Sequence, residues 1–359
     1  MSITDRKKVL FFHSRKAPSE LEDAYMRLGL LEVNGHLPRN DATDCNPFDM
    51  GTWNMRVLIL GGTRYFGKRL ADLCLNSGFH VTVASTGKTK VNYVHPVEHV
   101  VVDRKNLSSM RTAFGNQRWD IVYDQICFSA EEATIAMDAF SGKIGQLVFT
   151  STQSVYDSGV DLLESAFDPA KYSGETRNTN RYQEGKRLAE KVFAEQDVFP
   201  VTSVRFPIVL GRDDYTRRLH WHIARIKFGY PIFFPNPAAK LTVASSEDAA
   251  AFLLWLAFKS LYGPVNACSP DALTLQSLIK TIELATGKIM LLNSVDSSND
   301  RSPFGVEKDW CASPYLASSM GFNFSNSAEW LPLLVRGEVE STTIEDGKFL
   351  GGGSKAKSS

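Results

Sequence analysis

Short runs of almost unbroken apolar, often β-branched residues recur along the chain: Arg56–Leu60 (RVLIL), His80–Ala84 (HVTVA), Val100–Asp103 (VVVD), Ile121–Cys127 (IVYDQIC), Gln146–Ser151 (QLVFTS) and Val201–Phe206 (VTSVRF). Runs of this length without strict alternation suit strands buried on both faces. Most are separated by stretches of helical period, such as Phe66, Leu70, Leu73 and Leu75 after the first run, and Leu188, Val192 and Phe193 before the last. Strand–helix alternation of this kind predicts an α/β fold with a doubly wound parallel sheet. Beyond residue 206 the strands shorten and the composition mixes, which predicts a smaller C-terminal substrate-binding lobe over 207–340, interleaved with the last elements of the 55–206 domain.

The two ends read differently. Residues 1–54 carry a possible strand at Lys8–His13 and a capping box at Ser19 and Glu22 for a short helix, then loosen into a turn-rich linker. They are expected to form an appendage on the domain, with a docking or dimerisation arm as the alternative. Residues 341–359 are expected to be a flexible tail, the last ten (LGGGSKAKSS) being of low complexity.

Composition narrows the field. Of 359 residues, 43% are apolar and 22% charged, and the 40 basic side chains balance the 40 acidic ones. No overall field favours nucleic acid or an anionic membrane, and no apolar run approaches the roughly 20 residues that span a bilayer. Five scattered cysteines (Cys45, Cys74, Cys127, Cys268, Cys311) form no C-x-x-C pair. They are expected to be reduced thiols of a cytoplasmic protein. His220 and His222 are a lone close pair without carboxylate or thiolate support, so no metal is expected.

Chemistry is concentrated in two places. Gly61 and Gly62 follow the first strand and Gly67 opens the first helix, a strand–turn–helix that presents free N–H groups to a pyrophosphate, as in a Rossmann-type dinucleotide site. Gly61, Gly62, Thr63, Arg64, Tyr65, Phe66 and Gly67 are the candidate cofactor contacts in this turn. After the second strand stand Ser85, Thr86, Gly87 and Lys88, with none of the carboxylates that grip an NAD ribose. Ser85, Lys88 and Arg64 can instead take a 2′-phosphate, which favours NADP over NAD. Asp103, ending the third run, is placed to meet the adenine amino group. The second centre is Thr152 at the end of the fifth run with Tyr182 and Lys186, four apart and so on one helix face. Thr152 can hold a substrate oxygen while Tyr182 exchanges the proton, its phenol made more acidic by the Lys186 ammonium.

These motifs together resemble the short-chain dehydrogenase/reductase superfamily in its extended and atypical, NAD-dependent epimerase/dehydratase-like branches, over roughly residues 55–335. The resemblance rests on GGTRYFG at 61–67, Asp103, STQSVY at 151–156, YQEGK at 182–186 and RFPIVLG at 205–211. It implies a catalytic trio of Thr152, Tyr182 and Lys186, with Lys186 also holding the cofactor ribose. The segment GRDDYTRRLHW at 211–221 looks like one that atypical members place beside the substrate, and VASSEDAA at 243–250 like a strand-to-helix junction with an acidic residue, Asp248. Gln153, Arg218 and Trp221 are the candidate substrate contacts; Arg205 and Arg212 belong to the same arginine-rich stretch, suited to phosphate or carboxylate. Two departures stand out. Arg64 replaces a middle glycine, and Gln153-Ser154 stand where 4,6-dehydratases of the family carry Asp-Glu, so dehydration of that kind is not expected. The expected function is an NAD(P)-dependent reductase or dehydrogenase acting on a small molecule, without nucleic acid or membrane, with a homodimer as the assembly to test. A sugar-nucleotide epimerase with retained NAD, or a non-catalytic cofactor sensor or RNA-associated protein, are the alternatives.

Overall fold

In β1 (Arg56–Leu60), Val57 and Ile59 face one hydrophobic cluster while Leu58 and Leu60 face another, the period-2 signature of a strand covered on both sides. The computed structural model describes residues 55–174 and 181–343. The expectations for residues 1–54 and for the last residues of the tail lie outside the described residues.

The chain continues through α1 (Tyr65–Asn76), β2 (His80–Ser85), β3 (Glu98–Val101), α2 (Leu107–Phe114), β4 (Trp119–Asp124), α3 (Ala130–Phe140) and β5 (Ile144–Thr152). Then come β6 (Gly159–Leu162), α4 (Arg181–Ala194), β7 (Val201–Phe206), β8 (Ile208–Leu210), α5 (Arg218–Phe228), β9 (Lys240–Leu241), β10 (Val243–Ser245), α6 (Ser246–Leu256) and β11 (Gly263–Asn266). The remainder is β12 (Leu273–Thr274), α7 (Leu275–Thr286), β13 (Trp310–Ala312), α8 (Tyr315–Ser319) and α9 (Ser327–Ser341).

Seven parallel strands form the main sheet in the order β11-β7-β5-β4-β1-β2-β3. This is the expected doubly wound, Rossmann-type sheet, with the order reversing between β1 and β4, the place where ligands bind in such folds. Helices α1 and α6 cover one face, while α2, α3 and α4 cover the other. Several strand boundaries differ from the sequence pattern by one to three residues, two of them most plainly. The third run pairs from Glu98 rather than Val100, and β4 stops at Asp124, three residues before Cys127. The second difference has a local cause. The Asp124 carboxylate accepts a hydrogen bond from Ile126 N–H at 3.2 Å, which turns residues 125–127 out of the sheet.

The second cluster of elements joins a four-stranded sheet, β12-β9-β13-β6, to α5, α7 and α9 around a core that includes Leu219, Ile223, Phe234, Leu278 and Phe304. Its β6 comes from before α4, and β11 returns from it to the main sheet, so the two cores are threaded through each other. Arg205 shows where sequence proximity misleads. Rather than joining the arginine-rich stretch that follows it, Arg205 is fully buried in β7 and donates to Glu190 at 3.0 and 3.2 Å, Tyr156 Oη at 2.9 Å, and the Glu164 and Phe167 carbonyls at 2.8 and 3.0 Å.

His222, expected to be too isolated for a metal, is fully buried in the lobe, stacked on Phe304 with ring centroids 4.6 Å apart. It hydrogen-bonds the Arg218 carbonyl at 2.7 Å through Nδ1 and Ser302 Oγ at 2.8 Å through Nε2. Burial pushes its pKa down to about 4. The folded state thus binds the proton more weakly than the unfolded chain, so stability is complete above the unfolded value of about 6.5 and is lost as pH falls towards 4. The loss is expected to reach about 3 kcal/mol. Thermal unfolding between pH 7 and 4.5 should therefore show a steeper drop for the wild type than for His222→Gln.

Candidate active site

The glycine turn packs too tightly for side chains. Gly61 has φ +90°, and a Cβ there would lie 2.7 Å from Ile126 Cγ2; a Cβ on Gly67 would lie 2.6 Å from the Gly61 carbonyl oxygen and 2.8 Å from Gln125 Oε1. Arg64 takes the middle-glycine position without strain because its backbone is extended (φ −143°, ψ 154°). Tyr65 carries the left-handed conformation instead, at φ 55°. The first turn of α1 holds no acidic residue, and no side chain caps it among the described residues. These groups fit a dinucleotide pyrophosphate: a cradle without Cβ atoms, an uncapped helix start, and the buried Gln125 Nε2, which has no partner among the described residues. Sequence reading missed Gln125; its signal was only its place just past a strand end.

The other cofactor candidates divide. Arg64 is exposed and donates to Thr89 Oγ1 through Nε and Nη2 at 3.2 and 3.0 Å, with its guanidinium 5.6 Å from the centre of the Tyr215 ring. A cavity of about 550 Å³ opens beside Thr89, lined also by Thr63, Asn92, Tyr93, His95 and His99. Ser85 is buried, its hydroxyl engaged with His99 Nε2 at 2.8 Å and with Gly87 N–H at 3.1 Å, while Lys88 is exposed. Asp103 is exposed, its carboxylate accepting from Lys105 N–H at 3.0 Å. Phe66 packs on Phe206, ring centroids 5.5 Å apart, and so serves the core.

Thr152, Tyr182 and Lys186 do meet. Thr152 ends β5, buried, and its hydroxyl hydrogen-bonds Ser154 N–H at 3.1 Å and the Tyr182 side chain. Tyr182 lies in the first turn of α4 and is 45% exposed. One turn later Lys186 is 1% exposed, and its Nζ donates to the Thr150 carbonyl at 2.6 Å and the Cys127 carbonyl at 2.7 Å. Burial lowers the Lys186 pKa to about 8. The phenol behaves differently from the expectation. Burial raises the Tyr182 pKa, and the groups that oppose this are the Thr152 hydroxyl and the Arg218 charge rather than Lys186. The Lys186 ammonium lies 5.9 Å from the Tyr182 ring centre and is directed at backbone carbonyls.

Of the three substrate candidates, the fold brings only Arg218 to this centre, where its charge acts on Tyr182 and Tyr65. Gln153 is buried with both ends of its amide engaged: Nε2 donates to the Trp310 carbonyl at 2.8 Å, and Oε1 accepts from Thr242 Oγ1 at 2.7 Å. Trp221 turns into the lobe core with the Arg225 guanidinium 4.8 Å above its ring. Tyr215, unmarked by the sequence pattern, stands edge-on to Tyr65 at 6.3 Å, and Asp213 reaches Arg69 at 3.3 Å, so the 211–217 segment leans over the glycine turn. Asp248 is fully buried in α6 and accepts Ser325 N–H at 3.0 Å, a structural contact.

The fold is a doubly wound, dinucleotide-binding type of sheet with a glycine cradle, and Thr152, Tyr182 and Lys186 lie together at its strand ends. The sequence pattern of the NAD dependent epimerase/dehydratase family matches residues 57–268, and the chain belongs to that family. It is 28% identical over 217 residues to the chloroplast stem-loop binding protein of 41 kDa b of Arabidopsis thaliana, a match covering 55% of this chain; the chain spans about half (54%) of that relative's length. The Thermus thermophilus UDP-glucose 4-epimerase in complex with NAD superposes with a TM-score of 0.61 at 20% identity, over 80% of this chain and 98% of that one. The Thermotoga maritima UDP-glucose 4-epimerase with UDP-glucose gives 0.64 at 16% identity, over 80% and 98%. At such identities the likeness is one of fold. Among the described residues, no helix is long and apolar enough to cross a membrane.

Proposed function

We propose that this protein catalyses reversible hydride transfer between a nicotinamide cofactor and a carbinol or carbonyl carbon of a small molecule. The observation that carries this reading is the hydrogen-bonded Thr152–Tyr182 pair one helical turn from buried Lys186, beside the glycine cradle. When bound, the nicotinamide supplies or accepts the hydride. Thr152 orients the substrate oxygen, Tyr182 moves its proton at Oη, and Arg218 adds positive charge where an alkoxide develops. Lys186, held by two carbonyls, is the donor for the cofactor ribose. Gly61, Gly62, Thr63 and Gly67 with Gln125 form the pyrophosphate cradle. Residues 55–206 serve as the cofactor domain and 207–340 as the substrate lobe.

The cofactor reading is NADP. Its support is the missing carboxylate at the end of β2, the Arg64 guanidinium held there by Thr89, and the cavity of mixed polar and apolar lining beside it. Titration with NADPH and NADH, followed by nicotinamide fluorescence, tests it. Arg64→Ala is expected to weaken NADPH by about ten- to a hundredfold, the worth of one charge-assisted phosphate contact, and to leave NADH unchanged. Equal loss for both cofactors, or tighter NADH in the wild type, would overturn it.

A sugar-nucleotide epimerase with NAD is the second reading, favoured by the family and by the fold of the two UDP-glucose 4-epimerases. NAD carried through purification would select it. Stem-loop RNA binding is a third, favoured by the name of the Arabidopsis relative; the even charge balance weighs against it. A gel shift with a stem-loop RNA decides that reading. Four buried free thiols, Cys74, Cys127, Cys268 and Cys311, support a reducing compartment, cytoplasmic or, as in that relative's name, chloroplastic.

A further inference from the structure

Three charged side chains behind the cofactor cradle have no part in the mechanism above. Asp124 ends β4, Arg104 follows Asp103, and Glu132 lies in the first turn of α3; they are 0%, 5% and 5% exposed. Arg104 pairs with Asp124 through Nη2 and stands 3.3 Å from Glu132, which exposed Lys105 approaches at 3.4 Å. Burying charges this deeply costs desolvation that a well-packed apolar cluster avoids, so stability alone is a weak reason for the network. Its carboxylates point to another. Both accept backbone N–H groups of a single short loop, Ile126 on Asp124 Oδ1 at 3.2 Å and Phe128 on Glu132 Oε2 at 2.6 Å. Between those two anchored residues is Cys127, whose carbonyl receives the Lys186 ammonium at 2.7 Å, and the Phe128 ring centre lies 4.6 Å from the same ammonium.

We propose that Arg104, Asp124 and Glu132 are positioning residues for Lys186, fixing the 125–128 backbone that receives its ammonium and balancing the charge around it. The inference rests on the reading of Lys186 as the lysine of the hydride-transfer site. The groups facing this ammonium are few. Burial pulls its pKa down to about 8; Cys127, Asp124 and Glu132 oppose the fall, Arg104 adds to it, and Tyr182 lies one turn away on the same helix. The Cys127 thiol is itself pushed up to about 12, by burial and by Asp124, with Arg104 and Lys186 opposing. A lysine titrating near 8 gives activity an alkaline limb there, because above it the ammonium is lost. Removing a carboxylate should move that limb down, and removing the guanidinium should move it up. A merely structural network would lower melting temperature and leave the limb in place.

The test is the Lys186 titration itself, read by NMR in full-length protein labelled with 13C-lysine and assigned with Lys186→Met, beside the pH profile of kcat/KM. Glu132→Gln keeps an acceptor for Phe128 N–H and is expected to lower the midpoint by about one pH unit; Arg104→Gln is expected to raise it by about as much. Should Arg104→Gln fail to fold, Glu132→Gln decides alone. An unmoved midpoint in folded Glu132→Gln overturns the proposal. A midpoint that moves in a protein without turnover upholds the network and removes the hydride-transfer reading instead.

Discussion

Tyr182→Phe is expected to lower kcat by about 10²–10⁴-fold while leaving the melting temperature within a degree or two, the usual worth of a positioned acid or base. The substitution keeps the ring against Phe128, 6.2 Å between centroids, and removes only the hydroxyl bonded to Thr152. A half-exposed ring losing one hydrogen bond has little stability to give up. The direction of the Tyr182 pKa sharpens the expectation. Raised by burial, the phenol stays protonated across neutral pH, the form that the proposed carbonyl reduction requires of its acid. As a base for alcohol oxidation it needs the positive charge of Arg218 and of an oxidised nicotinamide. Reduction should therefore keep its rate over a wider range below pH 8 than oxidation does. Steady-state rates in both directions for the wild type and Tyr182→Phe check this, and a variant that retains its kcat sinks the assignment of Tyr182 as the proton donor.

Arg205→Met should have the largest effect on folding. The guanidinium is fully buried and ties Glu190 on α4 to Tyr156 and to the carbonyls of Glu164 and Phe167, joining three separate segments. Methionine fills much of the volume but leaves the Glu190 carboxylate buried with, among the described residues, only the Ser151 hydroxyl donating to it at 2.5 Å. Breaking one side of such a pair costs about 3–5 kcal/mol, because the surviving charge has no compensation. Urea denaturation of Arg205→Met beside the double variant Arg205→Met/Glu190→Leu checks the cause. The double variant is expected to regain much of the loss, whereas equal loss in both would place the effect in packing.

Much of this architecture was legible in the chain. The six apolar runs all became strands of the main sheet, because residues buried on both faces must be apolar whatever surrounds them. The glycine turn was legible for the same kind of reason: Gly61 and Gly67 answer to contacts made within one strand–turn–helix unit and its neighbouring strand. The nearness of Thr152, Tyr182 and Lys186 was legible because their spacing is local to a strand end and one helix turn; their proposed roles await the tests above.

What sequence position alone could not decide was the partner of each polar side chain. Gln153, next to Thr152 in the chain, bonds Trp310 and Thr242, far away along it, and Trp221 packs inward under Arg225. Arg205, which read as an anion ligand, is a buried tie, and Asp124, in the middle of an apolar run, turned out to be half of an ion network with Arg104. The apolar pattern is a property of each segment, set by its period and its burial, and so the strands, the glycine turn and the spacing of Thr152, Tyr182 and Lys186 could be read before the chain was folded. Hydrogen bonds and ion pairs reach 3 Å or so and join segments that only the folded chain brings together, so the partners of Gln153, Arg205 and Asp124 became visible only in the tertiary structure.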